Sequence, residues 1–257
     1  MKPALAFRQP HHPNHWHELP NGDVIRAYID QALAPWLPKF FGYHFLKIGA
    51  LSSQLSTQGC SIKHQFSVGQ LNEKPSVIAD VDDLPFIEHS VDVSLLSHAL
   101  EFSVDPHHVL REASRVLIPN GYLVVTGFNP VSLAGLNRIT PLRRHHLPWN
   151  EHFFTPMRVK DWLQLMGFEI LDDIRGLHTN LVGNVGEGAI GQKWQRFADN
   201  YLRPFGSVYV IVAKKRVLPL TPIKPKWKVR PSFQPVKVTT MNGANLSKHQ
   251  QNDTNDH

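Results

Sequence analysis

The chain of 257 residues has one cysteine, Cys60, and no apolar run long enough to cross a membrane. A single cysteine excludes an intrachain disulfide and fits a reducing compartment, so we expect a cytoplasmic protein. A membrane-spanning helix needs about 18 or more consecutive apolar residues, and no stretch supplies them. The first twenty residues lack the apolar core and small-residue cleavage pattern of a secretory signal, so none is expected.

Strong charge is also missing from most of the chain, although the formal net charge is +6. From residue 214 onward there are nine Lys or Arg and two Asp, so the preceding residues are close to neutral. This segment is rich in proline and polar residues and has no core-forming pattern, which predicts a disordered basic tail over residues 214–257. The tail could contact nucleic acid weakly by charge and stacking, or it could serve only solubility.

A strand, a helix and a second strand follow one another in the middle of the chain. Residues 91–96 are mostly apolar and β-branched, which is typical of a strand buried on both faces. Asp105 and Pro106 then predict a helix start, and the Pro-Asn-Gly of residues 119–121 predicts its end. Residues 122–126 form the second strand. A crossover of this length predicts neighbouring parallel strands.

The motifs between residues 79 and 130 resemble those of class I S-adenosylmethionine-dependent methyltransferases, and within that class the type 11 branch. They are, in order, Ala-Asp, Leu-Pro-Phe, Ser-Val-Asp, Leu-Glu, Asp-Pro, Leu-Arg-Glu-Ala-x-Arg-Val-Leu, Pro-x-Gly and Phe-Asn-Pro-x-Ser. The resemblance implies an α/β fold, a Rossmann-like seven-stranded sheet that is mostly parallel with an antiparallel last strand and helices on both faces. It also implies S-adenosyl-L-methionine as the cofactor and methyl transfer to an acceptor that the sequence does not identify.

The resemblance divides the chain into three parts. Residues 1–40 would form an N-terminal segment and a helix over the cofactor edge. Residues 41–213 would form the methyltransferase-like domain, with an insert at about residues 176–206. Residues 214–257 would be the basic tail. The sequence does not indicate the oligomeric state.

The resemblance implies a cofactor site at the ends of the first and third strands. Gly49 would line the methionine side, the carboxylate of Asp80 would accept a hydrogen bond from the adenine amino group, and the amide of Val81 would reach a ring nitrogen. Alternatively, Asp80 and Asp82 only cap a turn. The family pattern has an acidic residue and three glycines at the first strand, whereas this chain has Lys47 and Gly49.

The fourth strand leads into the region that borders the transferred methyl group in similar proteins. Ser97 would lie beside the cofactor, and His98 is the candidate catalytic residue, because an ordinary histidine pKa suits a general base. Packing is the alternative role for His98. Glu101 would lie on the substrate side.

Two further residues are candidates for the substrate region. Asn129 is expected to cap a helix that begins at Pro130. Arg143 belongs to a basic cluster that could receive an anionic substrate, or that could be a solvated insert. Four histidines near the N-terminus lack the carboxylate partners and regular spacing of a metal site, so no metal is predicted.

Two functions follow as hypotheses. The first is a methyltransferase in which the residues named above position the cofactor and acceptor. The second is a methyltransferase fold that has lost transfer and acts as a binding or regulatory protein. The second rests on the reduced glycine loop, the short connection of residues 50–60, and the lack of a carboxylate after residues 61–68 to hold the ribose. A dinucleotide oxidoreductase is excluded because the Gly-x-Gly-x-x-Gly pattern is absent.

Overall fold

Seven strands form one twisted sheet in the computed structural model, which describes residues 13–70, 75–136, 148–149, 151–178 and 203–216. Their order across the sheet is β3-β2-β1-β4-β5-β7-β6. The first five strands are parallel, and β7 runs antiparallel to both of its neighbours. The predicted sheet is therefore confirmed. The strands are β1 (His44–Ile48), β2 (His64–Gly69), β3 (Val77–Ile78), β4 (Val91–Ser97), β5 (Leu117–Phe128), β6 (Phe168–Gly176) and β7 (Val208–Lys215).

Five α-helices connect or cover these strands in the described part of the chain. Two of them begin with a side-chain cap: the Asp105 carboxylate, as the sequence predicts, accepts a hydrogen bond from the His108 N–H at 3.0 Å, and the Thr155 hydroxyl accepts one from the Arg158 N–H at 3.3 Å. A proline follows each of these caps, where a missing N–H costs nothing. The helices are α1 (Gly22–Leu33), α2 (Ala50–Ser53), α3 (Pro106–Val116), α4 (Leu133–Leu136) and α5 (Pro156–Leu165), with 3-10 turns at Trp16–Glu18, Leu37–Lys39 and Arg203–Phe205.

Apolar side chains fill a core layer on each face of the sheet. Alternate residues of β7 enter different layers, as the period of two in a strand requires: Val210 belongs to one and Ile211 to the other. Helix α1 covers the first layer, and helices α3 and α5 cover the second. Helices on both faces leave the ends of the strands as the sheet's accessible edges, which is where open α/β sheets bind ligands.

The end of α3 differs from the sequence-based prediction. The helix ends at Val116, and residues 119–121 lie inside β5 instead of stopping the helix. Pairing between Leu117 and Val91 of β4 starts the strand at once, and the register then shifts before Val93. Asn120 takes a φ of +64° in this irregular stretch. Pairing with a long-range partner therefore overrides the local turn signal.

The β1–β2 link and the end of β7 both differ from the boundaries that the sequence predicts. The link from β1 to β2 contains only the single helical turn α2, but it runs from residue 49 to residue 63 because β2 begins at His64, so it is longer than the predicted connection of residues 50–60. Strand β7 extends to Lys215, two residues past the expected boundary of the tail, and the Lys215 ammonium donates to the carbonyl oxygens of Ser114 and Leu117 at 2.6 and 2.9 Å. The rest of the tail and most of the 176–206 insert lie outside the described residues.

Among the helices that the structure describes, none is both long and apolar enough to cross a membrane.

Candidate cofactor and acceptor site

The carboxyl ends of β1, β3, β4 and β5 meet at one edge of the sheet. Ile48, the last residue of β1, pairs with Val68 of β2 and with Leu96 of β4. Ser97, at the end of β4, pairs with Thr126 of β5. This parallel register places the predicted residues Gly49, Asp80 and Ser97 at the same edge.

Gly49 turns the chain sharply at the end of β1. Its φ is +87°, a left-handed conformation that side chains rarely adopt, and its N–H donates to the Val68 carbonyl at 2.8 Å. A Cβ built on Gly49 would have no atom within 4 Å. The backbone at the end of β1 therefore borders open space, as close approach by a ligand requires.

Lys47, which replaces the acidic residue of the family pattern, has a structural role. Its ammonium donates to the Leu55 carbonyl at 2.9 Å, beyond the end of α2. Burial lowers the pKa of Lys47, and the nearby charge of Asp30 opposes that shift. The lysine thus ties the short β1–β2 connection to the first strand.

Asp80 is exposed just after β3, and its carbonyl accepts a hydrogen bond from the Asp83 N–H at 3.2 Å. In the described part of the chain, no hydrogen bond uses the carboxylate of Asp80 or the N–H of Val81. Both groups are therefore available to a ligand at the carboxyl edge.

Two charged residues of α3 hold the segment that follows Asp80. Arg115 donates to the carbonyl oxygens of Phe86 and Leu84 at 2.7 and 2.9 Å, while the Glu112 carboxylate accepts from the Leu84 N–H at 3.1 Å. Arg115 and Glu112 also pair with each other at 2.7 Å. The hydrogen bond from Arg115 lowers the pKa of Glu112. This pair explains why the Arg-Glu-Ala-x-Arg motif accompanies Leu-Pro-Phe in the sequence.

Ser97 is buried and hydrogen-bonded within the protein. Its N–H donates to the Ser52 hydroxyl at 2.7 Å, and its hydroxyl lies 3.0 Å from that of Thr126. The Ser52 hydroxyl in turn donates to the Ile48 carbonyl at 2.6 Å. These contacts join the ends of β1, β4 and β5 through polar atoms directly beneath the edge.

His98 and Glu101 are brought together in the turn after β4. His98 adopts a φ of +53°, and both side chains are fully buried. The imidazole Nδ1 lies 3.5 Å from Glu101 Oε1, which also accepts the Phe128 N–H at 2.7 Å. Two aromatic rings enclose the imidazole: Phe128 at 4.2 Å between centroids, and Trp16 edge-on at 5.6 Å.

Tyr209 reaches the same place from β7. It pairs with Gly127 of β5, and a Cβ on that glycine would lie 2.3 Å from the Tyr209 hydroxyl and 2.5 Å from Glu101 Oε1. Burial, followed by the charges of Glu101 and Asp173, raises the pKa of Tyr209 well above 10.0. A neutral phenol and a carboxyl group therefore meet beside the backbone of Gly127.

Asn129 does not cap a helix that begins at Pro130, because α4 begins at Leu133. Its amide donates to the carbonyl oxygens of Pro204 and Gly206, both at 3.0 Å, so a partner distant in the sequence occupies the side chain. Ser132 accepts from the Gly135 N–H at 3.1 Å and takes the capping position. Arg143, the other predicted residue of the substrate region, lies outside the described residues.

Sequence reasoning missed Trp16 and Tyr209. Trp16 is buried, and its indole N–H donates to the Leu51 carbonyl at 3.2 Å, so the N-terminal segment packs onto the turn after Gly49. Tyr209 lies in an apolar strand that the sequence marks only as core. No local pattern predicts that a tyrosine here faces Glu101, because that contact depends on the antiparallel register of β5 and β7.

The strand order and the polar carboxyl edge together define the class I methyltransferase fold. A family model for a methyltransferase domain matches residues 54–125, beginning after the turn at Gly49. A SAM-dependent methyltransferase of Thermotoga maritima, described as a possible histamine N-methyltransferase, has a TM-score of 0.51 and 19% identity, over 79% of this chain and 100% of that chain. At this identity the likeness shows the fold.

Two proteins are similar to the chain in sequence. The uncharacterized protein YafS of Escherichia coli (strain K12) is 41% identical over 221 residues, which are 86% of this chain and 88% of YafS. Demethylmenaquinone methyltransferase of Chlamydia pneumoniae is 29% identical over 85 residues, or 33% of this chain and 32% of that protein. The chain belongs to the same family as YafS, and it has the class I methyltransferase fold.

The matching methyltransferase domain model and the fold imply S-adenosyl-L-methionine as the cofactor, and the carboxyl edge fits this group. The open space beside Gly49 admits a ligand against the backbone. The unpaired carboxylate of Asp80 and N–H of Val81 offer an acceptor and a donor, which the adenine edge requires. When bound, the cofactor supplies a methyl group on a sulfonium, which is already an activated leaving group.

Proposed function

We propose that the chain transfers a methyl group from S-adenosyl-L-methionine to an acceptor that binds beside the turn after β4. The open backbone at Gly49, on the same sheet edge as the unpaired Asp80 carboxylate, supports this proposal most directly. Methyl transfer from a sulfonium needs alignment and exclusion of water more than chemical activation. A buried turn after β4 suits both needs.

Each predicted residue receives a role in this proposal. Asp80 and the Val81 N–H hold the adenine, and Gly49 borders the methionine part of the cofactor. Ser97 acts through the polar contacts that join the strand ends. The exposed Gln70, directly after β2, is the polar side chain at the strand end where the family carries a ribose-binding carboxylate.

The acceptor side of the proposed site is built from the turn after β4 and the loop after β5. His98 and Glu101 border the transferred methyl group, and Asn129 holds the backbone at the end of β5. Arg143 and the nucleic-acid contact of the basic tail concern residues outside the described ranges and stay predictions. The cytoplasmic location, which rests on the single cysteine, also stays a prediction.

Calorimetry with S-adenosylmethionine and with S-adenosylhomocysteine tests the proposal. We expect both ligands to bind the full chain, and Asp80→Ala to weaken binding about ten-fold or more, because a hydrogen bond to a charged group is worth about 1.5–3 kcal/mol. Asp83→Ala is the matched control, since it removes an exposed carboxylate from the same turn and keeps the backbone contact to Asp80. Absence of heat at millimolar ligand would contradict the proposal.

Transfer itself is measured as S-adenosylhomocysteine formed when the small-molecule fraction of a bacterial extract is added with S-adenosylmethionine. We expect formation above the rate without extract, and a lower rate with Asp80→Ala than with Asp83→Ala. Binding without any transfer would instead favour a protein that holds the cofactor and lacks catalysis.

A further inference from the structure

Several buried polar atoms lack partners at the carboxyl ends of β4 and β5. Both ring nitrogens of His98, the Oε2 of Glu101 and the hydroxyl of Tyr209 have no hydrogen-bond partner in the described part of the chain. All three residues are fully buried. An unpaired buried polar group is destabilising, and folded proteins contain few of them, so a cluster of such atoms indicates a missing partner.

The backbone around this cluster is also constrained. His98 holds a left-handed φ of +53°, which side chains adopt at a cost. Gly127 cannot carry a side chain, since a Cβ would lie 2.3 Å from the Tyr209 hydroxyl and 2.5 Å from Glu101 Oε1. The constrained turn thus places His98 beside Glu101, and the glycine leaves room for the Glu101 carboxylate and the Tyr209 hydroxyl side by side.

The contacts within the cluster indicate which nitrogen of the imidazole carries the proton. Glu101 Oε1 is fixed by the Phe128 N–H at 2.7 Å and lies 3.5 Å from His98 Nδ1. A carboxylate beside one ring nitrogen favours a proton on that nitrogen, so Nε2 is left as the proton acceptor. Tyr209, whose pKa is raised by burial and then by Glu101, keeps its proton and can donate a hydrogen bond.

We propose that His98, Glu101 and Tyr209 form the site that binds a hydroxyl group of the methyl acceptor and removes its proton. This inference rests on the proposed function. His98 takes the proton at Nε2, the freed lone pair of the acceptor bonds to the methyl carbon, and the electron pair of the broken carbon–sulfur bond stays on sulfur. Glu101 is a positioning residue that orients the imidazole, and the Tyr209 hydroxyl donates to the acceptor atom.

The N-terminal segment covers this site in the resting chain. Trp16 packs its edge against the imidazole and is held by its hydrogen bond to the Leu51 carbonyl. Gln54, the residue after α2, holds the same segment by donating to the Asn14 carbonyl at 2.6 Å. Both anchors lie on the helical turn that follows Gly49, so an acceptor reaches His98 only when this segment shifts.

Residue-resolved labelling with diethyl pyrocarbonate, an electrophile that reacts with unprotonated imidazole nitrogen, tests access and basicity together. In the native chain with S-adenosylhomocysteine, we expect slow labelling of His98 beside fast labelling of the exposed His15 and His17. Gln54→Ala and Trp16→Phe, which weaken the anchors of the covering segment, should each accelerate the labelling of His98 five-fold or more. Ser53→Ala, a neighbouring change on α2, should not.

Glu101→Gln separates orientation from folding. The glutamine amide oxygen can still accept the Phe128 N–H, while the charge beside the imidazole is lost. In the Gln54→Ala background we expect the labelling of His98 to slow at least three-fold. Unchanged labelling in every variant would overturn the proposal, because no electrophile or acceptor then reaches a basic nitrogen at His98.

Tyr209→Phe distinguishes a hydroxyl that binds the methyl acceptor from one that is hydrogen-bonded to a buried water molecule. If the Tyr209 hydroxyl has no hydrogen-bond partner until the methyl acceptor binds, Tyr209→Phe should leave the melting temperature unchanged or raise it. If a buried water satisfies it, the melting temperature should fall by about 2–4 °C, and the role of Tyr209 would be refuted. Calorimetry with S-adenosylhomocysteine on each variant tests the cofactor site separately from the acceptor site. If a variant still binds this ligand but His98 does not react, the acceptor site is contradicted and the proposed function is not.

Discussion

At the scale of single residues, one buried hydroxyl links the strand ends under the proposed cofactor site. Ser52 donates to the Ile48 carbonyl at 2.6 Å and accepts from the Ser97 N–H at 2.7 Å, so it satisfies groups on β1 and β4 at once. The side chain is fully buried. Water cannot replace it without rearrangement.

Ser52→Ala is therefore expected to destabilise the fold by about 1–3 kcal/mol, because the Ser97 N–H loses its partner in a buried place. Denaturation with urea measures the change. Ser53→Ala is the control: its hydroxyl donates to the Ala50 carbonyl one turn back at 2.6 Å and is partly exposed, so a loss within about 0.5 kcal/mol is expected. Equal losses in the two variants would contradict the bridging role of Ser52.

At the scale of elements, α3 supports the cofactor edge through its charged face. Glu112 and Arg115 bind the backbone of residues 84–86, which continues the turn that presents Asp80. The charges of an amphipathic helix ordinarily face solvent. Instead, these two charges hold a loop, which explains their fixed spacing of three residues.

The Glu112–Arg115 pair predicts a dependence of stability on pH. The hydrogen bond from Arg115 lowers the pKa of Glu112 below its ordinary value of 4.5. The unfolded chain therefore binds a proton at higher pH than the folded chain does. The stabilisation is complete above about pH 4.5 and is lost as the pH falls through the lower folded value.

Glu112→Gln should accordingly be less stable than the native chain at pH 7, and the difference should shrink as the pH falls below about 4.5. Urea denaturation at a series of pH values measures it. Asp161→Asn, which removes an exposed carboxylate of α5, serves as the control and should change stability little. A difference that stays constant over this pH range would contradict the pairing.

The boundaries of elements show where sequence reasoning works and where it stops. The start of α3 could be predicted, because Asp105 and Pro106 act on their immediate neighbours. Its end could not, since Leu117 pairs with Val91 and draws the Pro-Asn-Gly stretch into β5. The role of Asn129 failed for the same reason: its partners, Pro204 and Gly206, are more than seventy residues away in the sequence.

At the scale of the whole molecule, the strand order could be predicted because one strand–helix–strand unit and its motifs indicate the family. The position of Gly49, Asp80 and Ser97 at one edge follows from parallel strands alone. The acceptor side could be predicted only in part. His98 and Glu101 lie three residues apart in the sequence, so their proximity could be expected, whereas Tyr209 and Trp16 come from β7 and the N-terminal segment and meet this turn only in the folded chain.

The proposed function requires that the carboxyl edge at Gly49 binds S-adenosylmethionine. Two glycines provide a matched test. Gly49 and Gly59 have φ values of +87° and +86°, and a Cβ on either would meet no atom within 4 Å. Gly49 lies at the end of β1, whereas Gly59 lies in the connection to the start of β2.

The decisive measurement is the affinity of Gly49→Ala and Gly59→Ala for S-adenosylhomocysteine, by calorimetry, with the melting temperature of each. Both variants place a side chain at a positive φ, so we expect each to be destabilised, by about 1–3 kcal/mol. Only Gly49→Ala should bind at least ten-fold more weakly, because its methyl group occupies the space beside the bound cofactor. Equal affinities for the two variants would contradict a cofactor site at this edge.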